Sequence, residues 1–288
     1  MSRTSIEWCS RPGTLPEVWN FITGCNKVSQ GCKNCYAEIM HRRLQYMYPK
    51  KYNHDFLSGA HLHKDLINLP LSWTKPRTVF VNSMSDMFHE NISFPVINEA
   101  FDVMTAQAPQ HTYIILTKRP ERLLEYVQWK INTGIKGQWK SFSKNIWLLV
   151  STEDQKTADE RIPLLLQVPC HVHGISAEPL LGTIILKPEW KLQWVIAGGE
   201  SGHHARPMHP HWALSLRDQC ANNGIPFFFK QHGAWLNSYN YGERLSELYN
   251  GKTLPGYFSF PDGIHVNKVG KHKAGRLLDG KEWNQFPN

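Results

Sequence analysis

The chain has 288 residues and a net charge of +8, and 41% of its residues are hydrophobic against 19% that are charged. This balance excludes global disorder, and the length suits one large α/β domain or two smaller ones. The positive charge favours an anionic partner such as nucleic acid or a phosphorylated molecule. The first residues lack a secretion signal and no run reaches the ~18 apolar residues of a membrane span, so we expect a cytoplasmic protein without membrane contact.

Short apolar runs recur along the chain, and each ends in polar or glycine-rich residues. Such runs are typical of strands that are buried on both faces of a parallel sheet. Helix-like segments lie between them at 94–108, at 157–167, where Pro163 weakens the helical pattern, and at 209–224, where Cys220 lies on the apolar stripe. The seven predicted strands are 18–24, 78–86, 111–119, 145–154, 171–179, 192–202 and 225–233.

Strand followed by helix, repeated along the chain, predicts βα units and a parallel sheet. We therefore predict an α/β fold, a TIM-like partial (β/α) barrel over residues 1–233, with an open doubly wound sheet as the alternative. Residues 46–76 look like an insertion in the first crossover. Residues 234–288 are rich in glycine and aromatics with little periodicity, which predicts an irregular C-terminal extension packed on the barrel.

Polar side chains follow each predicted strand at its carboxyl end. Because the carboxyl ends of parallel strands meet at one side of a barrel or sheet, these side chains are predicted to share a pocket. They are Ser83, Ser85 and Asp86; Thr117, Lys118 and Arg119; Ser151, Glu153 and Asp154; Ser176 and Glu178; Glu200 and Ser201; Lys230 and Gln231.

Three of the six cysteines lie within eleven positions, in "GCNKVSQGCKNCYAE" (24–38), after the first strand and before the first helix. In a reducing compartment such a cluster favours metal binding over disulfides. Three thiolates suit a [4Fe-4S] cluster with one open iron that binds S-adenosylmethionine. Zinc would need a fourth ligand, for which His41 is nearest in sequence, and ordinary thiols are the third alternative. Cys9, Cys170 and Cys220 are interpreted as structural.

The position of this loop is that of the cluster loop in radical S-adenosylmethionine barrels. The spacing is C-x6-C-x2-C rather than the usual C-x3-C-x2-C, and Asn34 stands where an aromatic residue usually precedes the last cysteine. The stretches "WNFITGCNKVSQGCKNCYAE", "VFVNSMSDMFHE", "SAEPLLG", "WVIAGGESGHHARPMHP" and "PFFFKQHGAW" resemble the three-Cys-motif phage protein family. The resemblance implies a radical S-adenosylmethionine type barrel and brings no agreed substrate.

Charge suggests how the strand ends divide between cofactor and substrate. The methionine carboxylate of S-adenosylmethionine needs a cation, Lys118 or Arg119, and the ribose hydroxyls need acceptors, Ser151 with Glu153. Candidate groups for the methionine amine are Ser83, Ser85 and Asp86. Metal ligands are Cys25, Cys32 and Cys35. Candidate catalytic or substrate-contacting residues on the later strands are Glu178, Glu200 and Lys230, with Arg206 and Gln231 near the base or its phosphate.

The sequence thus predicts a radical S-adenosylmethionine enzyme, a lyase, transferase or isomerase, that generates a 5′-deoxyadenosyl radical. The charge and the 34 aromatic side chains suggest a nucleobase in DNA, in RNA or as a nucleotide, with a small metabolite or a peptide as alternatives. An electron donor such as flavodoxin or ferredoxin would be the protein partner, and the oligomeric state stays open. The competing hypothesis is a zinc-binding, non-catalytic nucleic-acid-binding protein.

In "GGESG", glycines would let backbone N–H groups approach a phosphate, with Arg206 and His209 nearby.

Overall fold

The main sheet of the computed structural model is built from seven parallel strands. The structure describes residues 4–134, 139–237 and 256–288. Each predicted strand is found, with bounds moved by a few residues, and the sheet curls into a half-barrel, which confirms the predicted partial TIM-like barrel. In spatial order the strands are β1 Leu15–Trp19, β4 Arg77–Val81, β5 Thr112–Thr117, β6 Ile146–Ser151, β7 Val172–Ala177, β8 Trp194–Gly198 and β9 Phe227–Gln231.

Helices connect the successive strands of this sheet except β7 and β8, which an irregular segment over residues 178–193 joins. Asp154 caps α4, because its side chain accepts a hydrogen bond from the Thr157 amide at 2.9 Å. The segment that Pro163 weakens is nevertheless helical: α4 continues through this exposed residue without the backbone hydrogen bond that proline cannot donate. The helices are α1 Tyr36–Met47, α2 Phe94–Asp102 with a wider turn at Val103–Gln107, α3 Pro120–Thr133, α4 Gln155–Leu165 and α5 Pro210–Asn222.

Alternating side chains give the sheet two buried faces. The outer face packs against α2 to α5, where Phe101, Tyr126 and Leu216 are fully buried. The inner face forms a separate apolar cluster, filled from the N-terminal turn Glu7–Cys9 by Trp8. Strand members of this inner cluster include Phe80, Ile114, Trp147, Leu149, Val172, Trp194, Ile196 and Phe228. Two residues after Phe80, Leu149 and Phe228, toward the carboxyl ends of their strands, the same face carries Asn82, Ser151 and Lys230, and that is where the site lies.

The segment between α1 and β4 covers the start of the cysteine loop. It contains β3 (His61–Leu62), which pairs antiparallel with β2 (Ile22–Thr23), the short strand after β1. From this segment Tyr52 and Phe56 pack beside Cys25 and Cys35. The predicted insertion in the first crossover therefore forms one wall of the site.

The C-terminal part forms a small antiparallel sheet in the order β10 (Trp235–Asn237), β12 (His265–Lys268), β11 (Tyr257–Ser259). A short helix, Lys271–Ala274, follows, and the tail then runs beside β9, where the Phe229 amide donates to the Trp283 carbonyl at 2.9 Å. The division at residues 233 and 234 stays a prediction, and 238–255 lie outside the described residues. None of the helices in the described part combines the length and apolarity that a bilayer crossing requires.

Candidate active site

The cysteine loop lies across the carboxyl ends of the half-barrel strands. Cys25, Cys32 and Cys35 line one cavity of about 120 Å³ together with side chains from the ends of β4, β5 and β6. The remaining lining residues are Asn26, Val28, Tyr36, Ala37, Phe56, Phe80, Asn82, Ser83, Ser85, Asp86, Leu116, Thr117, Lys118, Arg119 and Ser151.

Nine of the ten residues that the sequence predicts as metal or cofactor ligands therefore line the same cavity. The tenth, Glu153, is fully buried behind the loop and is not part of the lining. Of the predicted catalytic residues, Glu178 and Lys230 contact each other, whereas Glu200 lies under the other end of the cysteine loop. The predicted site residues thus fall into two groups: those that hold the cysteine loop in place, and those that line the cavity or the inner face of the half-barrel.

Arg119 holds the first part of the loop to the end of β5. Its guanidinium donates to the Asn26 side chain, lies 3.7 Å from the Cys25 sulfur and contacts Glu90 at 3.3 Å. A second acid, Asp86, lies 3.5 Å from the same guanidinium. With these partners Arg119 anchors the loop beside Cys25.

Glu153 holds the middle of the loop to the end of β6. It accepts a 2.8 Å hydrogen bond from Ser29 Oγ and a 3.1 Å ion pair from Arg161, whose side chain is 7% exposed. A Cβ on Gly31 would lie 2.2 Å from the Glu153 carboxylate, so this close approach requires glycine. The neighbouring Gln30 donates to Asp154 at 2.5 Å.

Glu200 holds the last part of the loop to the end of β8. Its carboxylate accepts from Asn34 at 2.9 Å and from Arg206 at 2.5 and 2.9 Å. Burial acts to raise the pKa of Glu200, but the hydrogen bonds from Arg206 and Asn34 outweigh it and keep that pKa below its usual value. Asn34 also donates to the His204 carbonyl at 2.8 Å.

These three anchors give a physical reason for the unusual cysteine spacing. The six residues between Cys25 and Cys32 span the distance from the β5 end, at Arg119, to the β6 end, at Glu153. Asn34, between Cys32 and Cys35, reaches Glu200 at the end of β8. The loop is therefore tied at each interval between its cysteines.

Asp86 organises the floor of the cavity rather than presenting a free carboxylate. It accepts from Thr117 Oγ1 at 2.8 Å, from the Lys118 amide at 2.9 Å and from the Phe88 amide at 3.0 Å. Ser85 Oγ donates to the Gly24 carbonyl at 2.5 Å, at the start of the cysteine loop.

Ser83 lines the cavity next to Asp86 and Ser85. Its carbonyl accepts from the Tyr36 hydroxyl at 2.5 Å, and its own hydroxyl donates to the Asn20 side chain at 3.2 Å. The three residues predicted for the methionine amine, Ser83, Ser85 and Asp86, thus line the cavity while engaged in internal hydrogen bonds.

Lys118 and Ser151 present polar atoms on the inner face of the half-barrel. The Lys118 ammonium donates to Ser151 Oγ at 3.0 Å, lies 3.9 Å from Glu153, and is 22% exposed. Both residues line the cavity, so a cation and a hydroxyl are offered together to whatever occupies it.

Glu178 and Lys230 form an ion pair across the intervening strand β8. The Lys230 ammonium donates to both carboxylate oxygens, at 2.7 and 2.9 Å. The pair bridges the ends of β7 and β9 beside Gly198 of β8, where a Cβ would be in ordinary van der Waals contact with the Glu178 carboxyl carbon, at 3.6 Å. It therefore provides both an acceptor and a donor on the inner face.

The structure corrects the interpretation of "GGESG". The Gly199 amide donates to the Gln231 carbonyl at 2.9 Å, and a Cβ there would lie 2.1 Å from the His232 carbonyl oxygen. Gly199 therefore serves close packing between β8 and β9, and its N–H is used within the protein rather than by a phosphate. Arg206 is engaged by Glu200, and His209 caps α5 and contacts Asp262 at 2.9 Å. Gln231 is buried, and its side-chain amide donates to the Gly199 carbonyl.

The thiols differ in their surroundings. Burial, with the nearby Asp86 charge, raises the pKa of Cys25 to about 11, and Arg119 partly opposes this. Within the described residues all six cysteines are free, and no group of three His, Cys, Asp or Glu side chains is arranged to hold a single metal ion. His41 contacts the His54 carbonyl through Nε2 at 2.8 Å. Cys9 and Cys220 are buried in apolar clusters, as expected of structural residues.

Sequence reasoning missed several residues of the site. Tyr36 adjoins Cys35 and could have been noticed from its position alone. Phe56 comes from the insertion and Arg161 from the second turn of α4, so only the folded chain brings them to the loop. Asn26 and Asn82 also line the cavity.

A second, more open cavity of about 450 Å³ lies near the amino end of β9. It is lined by residues 224–227, by the C-terminal tail and by α5, and Arg217 is the single charged residue among its lining. The titratable groups gather instead at the smaller cavity, which is therefore the better candidate for chemistry.

Comparison with known proteins gives a family and a set of remote structural likenesses. No curated protein matched the sequence. A cysteine-to-serine mutant of spore photoproduct lyase is similar, with a TM-score of 0.42 and 12% identity, over 93% of this chain and 72% of that chain. A double mutant of that lyase with bound AdoMet and dinucleoside spore photoproduct gives a TM-score of 0.41 and 10% identity, over 92% and 71%. The model of the family described as a protein of unknown function (DUF5131) matches residues 3–287, and the chain belongs to this family.

Proposed function

We propose that this protein is a radical S-adenosylmethionine enzyme whose [4Fe-4S] cluster is held by Cys25, Cys32 and Cys35. One observation carries the proposal: the three cysteines line one cavity together with polar side chains from three strand ends. We also propose that the chain is a three-Cys-motif phage protein.

The donor set suits such a cluster. The cavity lining contains three thiols and no histidine, so protein ligands are provided for three irons and one iron stays open. Each thiolate of a cubane binds a different iron, so its ligands need not converge on one point as zinc ligands do. When bound, the cluster and S-adenosylmethionine together supply a 5′-deoxyadenosyl radical that removes hydrogen from an unreactive carbon.

The residues that face the cavity have separate tasks in this proposal. Lys118 binds the methionine carboxylate through its ammonium, and Ser151 offers its hydroxyl to the ribose. Arg119 and Glu153 act mainly by holding the cysteine loop, because their polar atoms are already used there. Of the cofactor contacts predicted from strand order, Lys118 and Ser151 are therefore the two that line the cavity without holding the cysteine loop.

The substrate would lie against the inner face, beside Glu178 and Lys230. Their carboxylate and ammonium can accept from and donate to the edge of a planar, polar molecule, and a nucleobase is the class we favour. The net charge of +8 supports the same class, because nucleic acids and nucleotides are anionic. The reducing electron would come from a flavodoxin or a ferredoxin.

The test is the reductive release of 5′-deoxyadenosine from S-adenosylmethionine. The chain is reconstituted anaerobically with iron and sulfide and reduced, and the nucleoside is quantified by mass spectrometry. Cys32→Ala is expected to abolish release. Cys170→Ala is the matched control, because this half-buried thiol contacts the Val172 carbonyl at 3.2 Å, at the start of β7. Equal release by wild type and Cys32→Ala would contradict the proposal.

Substrate class is tested by isotope transfer. Deuterated DNA, RNA and nucleotide pools are incubated with the reduced enzyme, and deuterium is followed into 5′-deoxyadenosine. Transfer from one of the pools supports a nucleobase or nucleotide substrate. Release of 5′-deoxyadenosine without transfer from any pool would leave the radical chemistry standing and reject the nucleic-acid substrate.

A further inference from the structure

The helix that follows Cys35 carries an apolar stripe on its solvent side. On α1, Tyr36, Ile39, Met40 and Met47 are 48%, 51%, 38% and 62% exposed. Their spacing places them on one face, while Ala37 and His41 fill the buried face. A surface helix normally directs its apolar stripe toward the core, so a second stripe in solvent marks a binding surface.

Charge around this helix points to an anionic partner. Residues 33–54 contain five Lys or Arg and one acid, a net charge of +4 in a chain whose total is +8. The acid, Glu38, is engaged by Lys27 at 3.0 Å and by Arg42 at 3.3 Å. Arg43 lies within the exposed stripe itself.

Flat rings lie between these cations. Tyr46 is 92% exposed and Tyr48 is 56% exposed, and they are flanked in sequence by Arg43 and Lys50. Exposed rings interleaved with cations are the arrangement on which single-stranded nucleic acid stacks its bases and pairs its phosphates. A protein partner would be expected to meet fewer fully exposed cations at the centre of its interface.

The stripe runs directly into the cavity. Tyr36, its first member, lines the cavity with its hydroxyl on the Ser83 carbonyl. On the other side, the Ile39 side chain lies 3.9 Å from where a Gly202 Cβ would be, and exposed His203 follows. Lys268 donates to the His203 carbonyl and adds a cation to this rim.

We propose that this α1 face, formed by Tyr36, Ile39, Met40, Arg43, Tyr46 and Met47, binds a single strand of nucleic acid beside the cavity. The choice of strand as occupant rests on the proposed function, since a base must leave a duplex to reach a closed site. Arg43 contacts the phosphates, and Tyr46 stacks a base.

The experiment measures binding of a fluorescent single-stranded oligonucleotide to the full chain by anisotropy, at several salt concentrations. Arg43→Glu is expected to weaken binding at least about fivefold and to reduce the slope of log K against log salt by about 0.7. Lys191→Glu, an exposed charge reversal at the amino end of β8, is the matched control and keeps wild-type binding. Tyr46→Ala is expected to weaken binding about fivefold, whereas Tyr46→Phe retains it because the ring remains.

The binding assay uses neither reductant nor S-adenosylmethionine, so its result is independent of radical chemistry. Binding that depends on Arg43 and Tyr46 supports the surface even if no 5′-deoxyadenosine is released. Equal binding by Arg43→Glu and Lys191→Glu would overturn it, as would absence of binding at low salt. Binding of an acidic protein through the same residues, with no oligonucleotide bound, would also overturn it.

Discussion

Removing the Glu153 charge is the most informative perturbation of the site. Glu153→Gln keeps the shape of a fully buried side chain but takes away the partner of Arg161. It also weakens the hydrogen bond from Ser29, in the centre of the cysteine loop. We expect two separable effects, a loss of stability and a looser loop around Cys32.

The magnitude follows from the contacts. An ion pair at 3.1 Å corresponds to an attraction of about 5 kcal/mol at an effective dielectric constant of about 20. Breaking one partner of a buried pair costs about 3–5 kcal/mol. Arg161 keeps a 2.7 Å hydrogen bond to the Ser151 carbonyl, so we expect a loss near the lower value, about 3 kcal/mol.

Two measurements separate these effects. Urea unfolding gives the stability, and peptide-level alkylation monitored by mass spectrometry gives the reactivity of the Cys32 thiol in the folded apoprotein. Glu17→Gln is the matched control, because Glu17 is 6% exposed and pairs with Arg77 at 2.6 Å at the edge of the sheet. Both variants should lose stability, but only Glu153→Gln should accelerate Cys32 alkylation. Equal alkylation rates would refute the idea that Glu153 holds the loop.

Three further outcomes are expected. Gly31→Ala should lose iron after reconstitution, because its Cβ overlaps the Glu153 carboxylate; full iron retention would contradict this. Lys230→Met should keep the iron and the release of 5′-deoxyadenosine but lower turnover of substrate at least about tenfold, by removing the partner of Glu178; unchanged turnover would exclude a substrate role. Burial and the neighbouring histidines lower the pKa of His54 to about 4, below its usual value of 6.5. The unfolded chain therefore binds the proton first, stability should fall between pH 6.5 and 4, and His54→Gln should flatten that fall in urea titrations.

The parallel sheet could be predicted because its strands are buried on both faces. Runs such as 145–154 and 192–202 are apolar without alternation, and each led to a strand in the structure, β6 and β8. The strand-end rule likewise gathered Ser83, Lys118 and Ser151 at the cysteines. Both successes rest on local pattern together with the geometry of parallel strands.

The roles of the charged residues could not be predicted in the same way. Position alone made Glu153 and Glu200 candidates for ligand contact, but the partners that engage them, Arg161 and Asn34, are fixed by tertiary packing. "GGESG" was misread for a similar reason, since whether Gly199 faces a phosphate or the neighbouring strand depends on a long-range contact with His232. The local pattern predicts at which end of a strand a polar side chain lies, but its hydrogen-bond partner depends on the tertiary packing.

Metal analysis after anaerobic isolation or reconstitution tests the central claim most directly. The account predicts a brown protein with about four irons and four sulfides per chain. Cys25→Ala, Cys32→Ala and Cys35→Ala should each lose the iron, and Cys170→Ala should keep it. Stoichiometric zinc without iron in the wild-type chain, removed by the same three substitutions, would contradict the account and support the zinc-binding alternative.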